Sequence, residues 1–230
     1  LNDEVIRRID AYIEEITGNG NIRCLIFHSK KNFAAGADII SMVDCNEEEA
    51  RAFSASPTFS KIEQLSIPTI AAIEGYALGG GLELALACDL RIAADSAKMG
   101  FPEITLGIMP GAGGTIRAPR IIGEAFAKEL IFTGKIISAE RAAAMGLVNR
   151  VAPEEETLSE ALKIAEKIAR SAPYAMTVAK KTIRAGAEEP DYEKGLRLEL
   201  DNWVKLFNTE DQKEGMRAFM EKRKPEFKNR

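Results

Sequence analysis

Histidine is nearly absent from this 230-residue chain, where His28 is the only one. A nucleophilic triad or a multi-histidine metal site would have to be built on it alone, and its place at the end of an apolar run favours a structural role. Cysteine is scarce and odd in number, with Cys24, Cys45 and Cys88 far apart. Cys24 and Cys88 sit in apolar runs, which fits buried reduced thiols better than disulfides or a metal site and points to a reducing compartment, the cytoplasm. No apolar run approaches the length of a membrane span, so no membrane association is expected. The opening Leu1-Asn2-Asp3-Glu4-Val5 resembles neither a signal nor a transit peptide, and the lack of an initiator Met suggests a fragment or a processed chain. Basic excess is missing too: 31 Lys and Arg face 35 Asp and Glu, interspersed along the chain, which argues against a dedicated nucleic-acid binder. Gly111-Ala112-Gly113-Gly114 lacks the full dinucleotide fingerprint, and no phosphate-loop Gly-Lys-Ser or Gly-Lys-Thr ending occurs.

What remains is an ordinary globular composition with 46% hydrophobic residues, enough for one large domain or a domain with a helical appendage. Val5, Ile6, Ile9, Ile13 and Ile16 recur at helical spacing, with Asn2 or Asp3 as cap and Gly18-Asn19-Gly20 as stop. Ile22 to His28 reads as a buried strand feeding a small-residue turn through Asp38, which caps a following helix. Asn46 caps a second helix that ends before Ile67-Pro68, and Thr69 to Ile73 and Leu90 to Ala94 read as further strands. Alternating helix and strand predict an α/β layered core. Ser96 to Thr115 is loop-rich. Beyond Gly114 only Leu147 to Val151 looks like a strand and the rest is helical in period, including Tyr192 to Phe207 and Thr209 to Lys222. The division expected is 1–152 as α/β core and 153–230 as a helical region, too thin for a core of its own and suited to docking on the first part or on other subunits.

The chemistry gathers in Tyr76 to Thr115. Gly79-Gly80-Gly81 ahead of Leu82-Glu83-Leu84 leaves unpaired N–H groups at a helix start, a place that receives negative charge. Glu83 lies on the first turn, where it either reaches back to cap its own helix or serves as an acid/base group; spacing leaves both open. Glu103, after Pro102 in a glycine-rich segment, is by default a solvated acid. Adding water to an activated alkene needs one carboxylate to take a proton from water, another to deliver one to carbon, and a fixed site for the transient oxyanion, and this stretch holds candidates for all three. The tail Lys222-Arg223-Lys224 to Lys228 reads as a solvated face or as a partner for a phosphorylated ligand.

Phe33-Ala-Ala-Gly-Ala-Asp38, Ile70-Ala-Ala-Ile73 leading to Gly75-Tyr-Ala-Leu-Gly-Gly-Gly-Leu-Glu83, Cys88-Asp89, Phe101-Pro-Glu103, Gly107 and Pro110-Gly-Ala-Gly-Gly-Thr115 together resemble the crotonase (enoyl-CoA hydratase/isomerase) superfamily. The resemblance continues through Thr133-Gly134, Ala139-Glu140, Gly146-Leu-Val148 and the ending from Thr209-Glu-Asp211 to Lys222-Arg223. It implies a spiral core of ββα units and a helical C-terminal region that trimerises, commonly as a hexamer of two trimers. By position it implies Ala37 and Gly80 as the two N–H donors of an oxyanion hole, Glu83 as the carboxylate that activates water, and Glu103 as the one that protonates the α-carbon. Ala35, with Asp38 and Ile39, resembles the coenzyme A contacts, while Lys222 and Trp203 match positions that reach a neighbouring subunit's coenzyme A. The activity implied is reversible hydration of a 2-enoyl-CoA, with Δ3,Δ2-enoyl-CoA isomerisation or ligand binding without turnover as alternatives. No metal or redox cofactor is implied, coenzyme A being part of the substrate. Two departures stand out: the family's short strand-containing segment ahead of the position of Leu1, which carries part of the coenzyme A site, is missing here, and Glu74 stands where Asn is common. The acyl tunnel is expected between residues 39 and 67 and from the C-terminal helices.

Overall fold

The computed structural model describes residues 1–229 and divides into two compact units. The first comprises Leu1–Asn19, Leu25–Leu65 and Thr69–Lys163; the second comprises Gly20–Cys24, Ser66–Pro68 and the chain from Ile164 onward.

In the first unit Asn2, one of the two caps the sequence offers, caps α1 (Asp3–Ile16) by accepting from the Val5 N–H. The strand foreseen from Ile22 is shorter, β1 (Leu25–His28). Asp38 caps the short α2 (Ile39–Met42). The single helix expected after Asn46 is two: α3 (Glu47–Phe53), closed by a capping box between Asn46 and Glu49, and α4 (Ser56–Gln64), which restarts around Pro57. Proline lacks the N–H a continuing helix needs but fits a first turn, so the break belongs there.

A parallel sheet follows the order β1–β2–β4–β7, with β2 (Thr69–Ile73), β4 (Leu90–Ala94) and β7 (Arg150–Ala152). Every residue of β2 is buried, which is why it reads as a continuous apolar run rather than an alternating one. Asp89 ties its start, accepting from the backbone N–H and hydroxyl of Thr69. A second sheet joins β3 (Tyr76–Leu78), β5 (Lys98–Gly100) and β6 (Ile136–Ser138). None of these three was foreseen, and the strand expected at Leu147 to Val151 forms three residues later, as β7.

Between β3 and β4 runs α5 (Gly80–Ala87), apolar apart from Glu83 and buried from Gly81 to Ala87. Its far end is pinned by buried Arg91, which donates to the carbonyls of Ala85, Cys88 and Leu147. Phe59, Ile62, Ile70, Ile73, Leu82 and Ile92 fill the core around it. The first unit continues through α6 (Gly114–Thr133), kinked at Gly123, and α7 (Ala139–Ala144), and α8 spans Thr157–Ala169.

The second unit is helical, with α9 (Pro173–Glu188), α10 (Tyr192–Leu206) and α11 (Glu210–Met220). An Asn202–Thr182 hydrogen bond of 2.9 Å links α10 to α9, and buried Asp211 accepts from the N–H groups of Lys228 and Asn229. Ile183, Tyr192, Leu196, Leu200, Trp203 and Val204 leave α9 and α10 with much apolar surface exposed. Among the described residues no helix is long and apolar enough to cross a membrane. The mixed α/β architecture foreseen from the sequence is the one observed.

Candidate active site

The site starts from a backbone pairing. Ala34 bridges to Ala77 in parallel, donating to the Tyr76 carbonyl at 2.9 Å and accepting from the Leu78 N–H at 3.0 Å. This lays the Phe33–Asp38 loop along β3, so that it arrives beside the first turn of α5. The position a Cβ would take on Gly80 lies 3.8 Å from the Ala37 nitrogen. Among the described residues neither the Ala37 nor the Gly80 N–H has an acceptor. Gly80 is the first residue of its helix, so its N–H is one of the four that an α-helix cannot satisfy internally. Two unpaired donors thus stand together at the positive end of a buried helix.

Glu83 does not cap its own helix. The residue is 3% exposed, and Oε1 accepts from the N–H groups of Ala112 and Gly114, both at 2.7 Å. The other oxygen, Oε2, is 4.0 Å from the Cβ position of Gly80. Burial pushes its pKa above the ordinary carboxylate value, opposed by those two amides and by the nearby Arg117 guanidinium.

Glu103 reaches the same place from a 3-10 turn, Pro102–Leu106, that leaves β5 and closes on Gly107 in the left-handed region. It is 9% exposed rather than solvated, and its Oε2 is buried with no hydrogen-bond partner among the described residues. Its Oε1 would come within 2.8 Å of a Cβ on Gly79, where φ is +51° and ψ −124°, a conformation that suits glycine. Burial, with a smaller push from the Glu83 charge, raises its pKa to about 7. The two carboxylates therefore flank one glycine pair, Gly79-Gly80, in unlike surroundings: one oxygen of Glu83 is doubly hydrogen-bonded, whereas one of Glu103 is left bare.

The other residues singled out in the sequence fall as follows. Ala35 and Ile39 are exposed beside this site, and Asp38 is engaged as a cap, accepting from the Ile40 N–H and the Ser41 hydroxyl. Trp203 lies in the second unit, edge-on to Phe207, and Lys222 follows α11 with a positive φ. His28 Nε2 is 2.9 Å from Glu74 Oε1, so Glu74 is a hydrogen-bond partner of the sole histidine. Ala112, Gly114, Arg117 and Glu63 were not foreseen. The glycine-rich run at 111–114 was the available signal, but its use as a donor pair for Glu83 depends on a fold that joins residues about 30 positions apart. Among the described residues no group of three or more His, Cys, Asp or Glu side chains is placed to hold a metal.

Comparison with known proteins gives this arrangement a setting. The family model described as enoyl-CoA hydratase/isomerase matches residues 1–230. The chain is 43% identical over 235 residues to the short-chain-enoyl-CoA hydratase of Clostridium acetobutylicum, covering 100% of this chain and 90% of that protein. It is 42% identical over 231 residues to the crotonyl-CoA hydratase of Syntrophomonas wolfei, covering 99% and 88%. The crystal structure of an enoyl-CoA hydratase from Bacillus anthracis superposes with a TM-score of 0.94 at 43% identity, covering 100% of this chain and 90% of that one.

Proposed function

Because the chain belongs to the enoyl-CoA hydratase/isomerase family, we propose that its site hydrates a short-chain 2-enoyl-CoA reversibly to the 3-hydroxyacyl-CoA. One observation carries this reading: two buried carboxylates in unlike environments flank the glycine pair whose helix start, with Ala37, presents two unpaired amides. The thioester oxygen would accept from the Ala37 and Gly80 N–H groups. Water then adds to the β-carbon while Glu83 takes one of its protons, and the alkene π electrons move to form an enolate whose oxygen lies on those amides. Glu103, holding its proton near neutral pH, gives it to the α-carbon as the thioester carbonyl re-forms. Glu83 afterwards loses its proton to solvent and Glu103 regains one. An oxyanion donor of this kind is worth about 10²–10³ in kcat. The addition is redox-neutral and the amides do the polarising, so the scheme calls on no metal or redox cofactor.

Exposed Ile39 and Ile40 on α2 and Val43 just after it, with Leu106, Ile108 and Met109, support an apolar wall for the acyl chain. Ala35, Asp38 and Ile39 are proposed coenzyme A contacts, and Trp203 and Lys222 are proposed to reach a neighbouring subunit's ligand. The apolar surface of α9 and α10 supports a homotrimer or a hexamer of two trimers; light scattering that returned a single 25.1 kDa chain would contradict it. Acyl-CoA turnover in the cytoplasm, as in fatty-acid β-oxidation, fits the chain's three thiols.

In a spectrophotometric assay with crotonyl-CoA, Glu83→Gln and Glu103→Gln are each expected to lower kcat by at least about 10²-fold while coenzyme A thioester binding is kept. Hydration retained by either variant would sink the two-carboxylate scheme. An isomerase needs only one carboxylate to shuttle a proton, and the matched burial of two favours hydration.

A further inference from the structure

The mechanism gives Glu83 a proton to take but leaves open what fixes the peptide segment on which it rests. Ala112 and Gly114 both donate to its Oε1, Ala112 from the irregular segment ahead of α6 and Gly114 from the first residue of that helix. The same segment is gripped from its other side. The Nη1 of Arg117 donates to the Ala112 carbonyl at 2.9 Å, and the Arg117 backbone N–H donates to the Gly113 carbonyl at 2.8 Å. The rest of the guanidinium is held by Glu63 of α4, whose Oε2 accepts from Nη2 at 2.8 Å and from Nε at 3.3 Å. Gly113 makes this grip possible: its φ is +111°, and a Cβ there would fall 1.9 Å from Nη1. Arg117 is 8% exposed, so this is a buried cation with its fork divided between a carboxylate and the loop.

We propose that Arg117, braced by Glu63, is a positioning residue that keeps the Ala112 and Gly114 amides converged on Glu83. Three helices each supply one charged group to the chain of contacts: Glu63 from α4, Arg117 from α6 and Glu83 from α5. The role is specific to arginine, because an ammonium has no planar fork to span Glu63 and the Ala112 carbonyl together. As catalysis it rests on the hydratase reading; as a structural device it stands on the loop geometry.

Its effect is legible in pH dependence. The charged groups bearing on Glu83 are Arg117, which favours its ionised form, Glu103, whose charge would oppose it, and Glu63 behind Arg117. Of the strands packed against α5, β2 carries no ionisable side chain and β3 only Tyr76, at its exposed start. Without Arg117, Glu83 loses a favourable charge and the anchoring of its two donors. Both changes raise its pKa, so the carboxylate ionises only at higher pH.

The test compares wild type, Arg117→Gln, Arg117→Lys and Glu63→Gln with crotonyl-CoA. Arg117→Gln is expected to lower kcat about 10²-fold with KM changed less than about threefold, and to move the acid limb of the kcat/KM profile to higher pH. Arg117→Lys should recover the limb more than kcat, since it restores charge without the fork. Glu63→Gln should lower kcat with the limb little moved, whereas a purely electrostatic Arg117 would leave kcat unchanged or raised. Infrared titration of the Glu83 carboxylate, assigned with Glu83→Gln, gives a readout that needs no turnover and should shift upward in Arg117→Gln. An unshifted titration with kcat within about threefold of wild type in Arg117→Gln overturns the brace. If that variant does not fold, unchanged kcat in Glu63→Gln overturns it instead. A wild type that titrates as expected but does not hydrate crotonyl-CoA refutes the functional reading and leaves the brace standing.

Discussion

Glu83 commits one oxygen to two amides and keeps the other beside Gly80, whereas Glu103 keeps an oxygen with no hydrogen-bond partner among the described residues. That asymmetry divides the labour between base and acid, since hydrogen bonds to a carboxylate favour its charged form and bare burial favours the neutral one. It also has a thermodynamic signature. The folded-state pKa of Glu103, about 7, lies above its value in an unfolded chain, so its ionisation opposes folding. Stability contributed by the neutral acid is complete below the unfolded pKa and is lost as pH rises through about 7. Glu103→Gln, which cannot ionise, should therefore gain stability relative to wild type between pH ~5 and ~8, by about 1 kcal/mol or 2–4 °C in Tm once solvent screening is allowed for. Calorimetry at the two pH values checks this; a pH-independent difference would show that Glu103 is not held neutral by burial. From the residues alone Glu83 stood open between helix cap and acid/base group, and its hydrogen bonds to Ala112 and Gly114 remove the cap. Nothing local could decide that, because both donors belong to another loop.

At the scale of elements, what the chain encodes locally is what the sequence revealed. The Asn46 cap, the α1 cap offered at Asn2 or Asp3 and the buried run of β2 each depend on neighbours within a few positions, and each appears where expected, the first helix taking Asn2. The three-residue strands β3, β5 and β6 are too short to carry a period, and they exist because distant segments pair, as Met99 does with Ile137. These unforeseen strands nonetheless aim the site. β3 delivers Gly79 into a backbone conformation with φ +51°, and the chain leaving β5 carries Glu103 to within contact of it. Gly79→Ala would strain the backbone by about 1–3 kcal/mol and press its Cβ on the Glu103 carboxylate. The expected result is a lower Tm together with a kcat reduced about 10–10²-fold, measured by thermal melts and the crotonyl-CoA assay. Full activity in that variant would mean that the contact with Glu103 is not part of the working geometry.

Across the whole molecule, no single stretch makes the site. The glycine-rich segment from Tyr76 to Thr115 supplies both carboxylates and one amide, but the second amide comes from the Phe33–Asp38 loop and the brace for Glu83 from α4 and α6. The family was legible because its motifs lie in those very turns, where the backbone must pass close to a ligand or another strand; the brace was not, because Glu63 and Arg117 meet only in the folded chain. The functional claim reduces to one atom, the oxygen that water contributes to the β-carbon. Mass spectrometry of the product formed from crotonyl-CoA in oxygen-18 water tests it directly. The account predicts 3-hydroxybutyryl-CoA carrying one solvent oxygen, formed by the wild type and lost in both Glu83→Gln and Glu103→Gln. Turnover to an unlabelled double-bond isomer, or labelled product that persists in either variant, would contradict it.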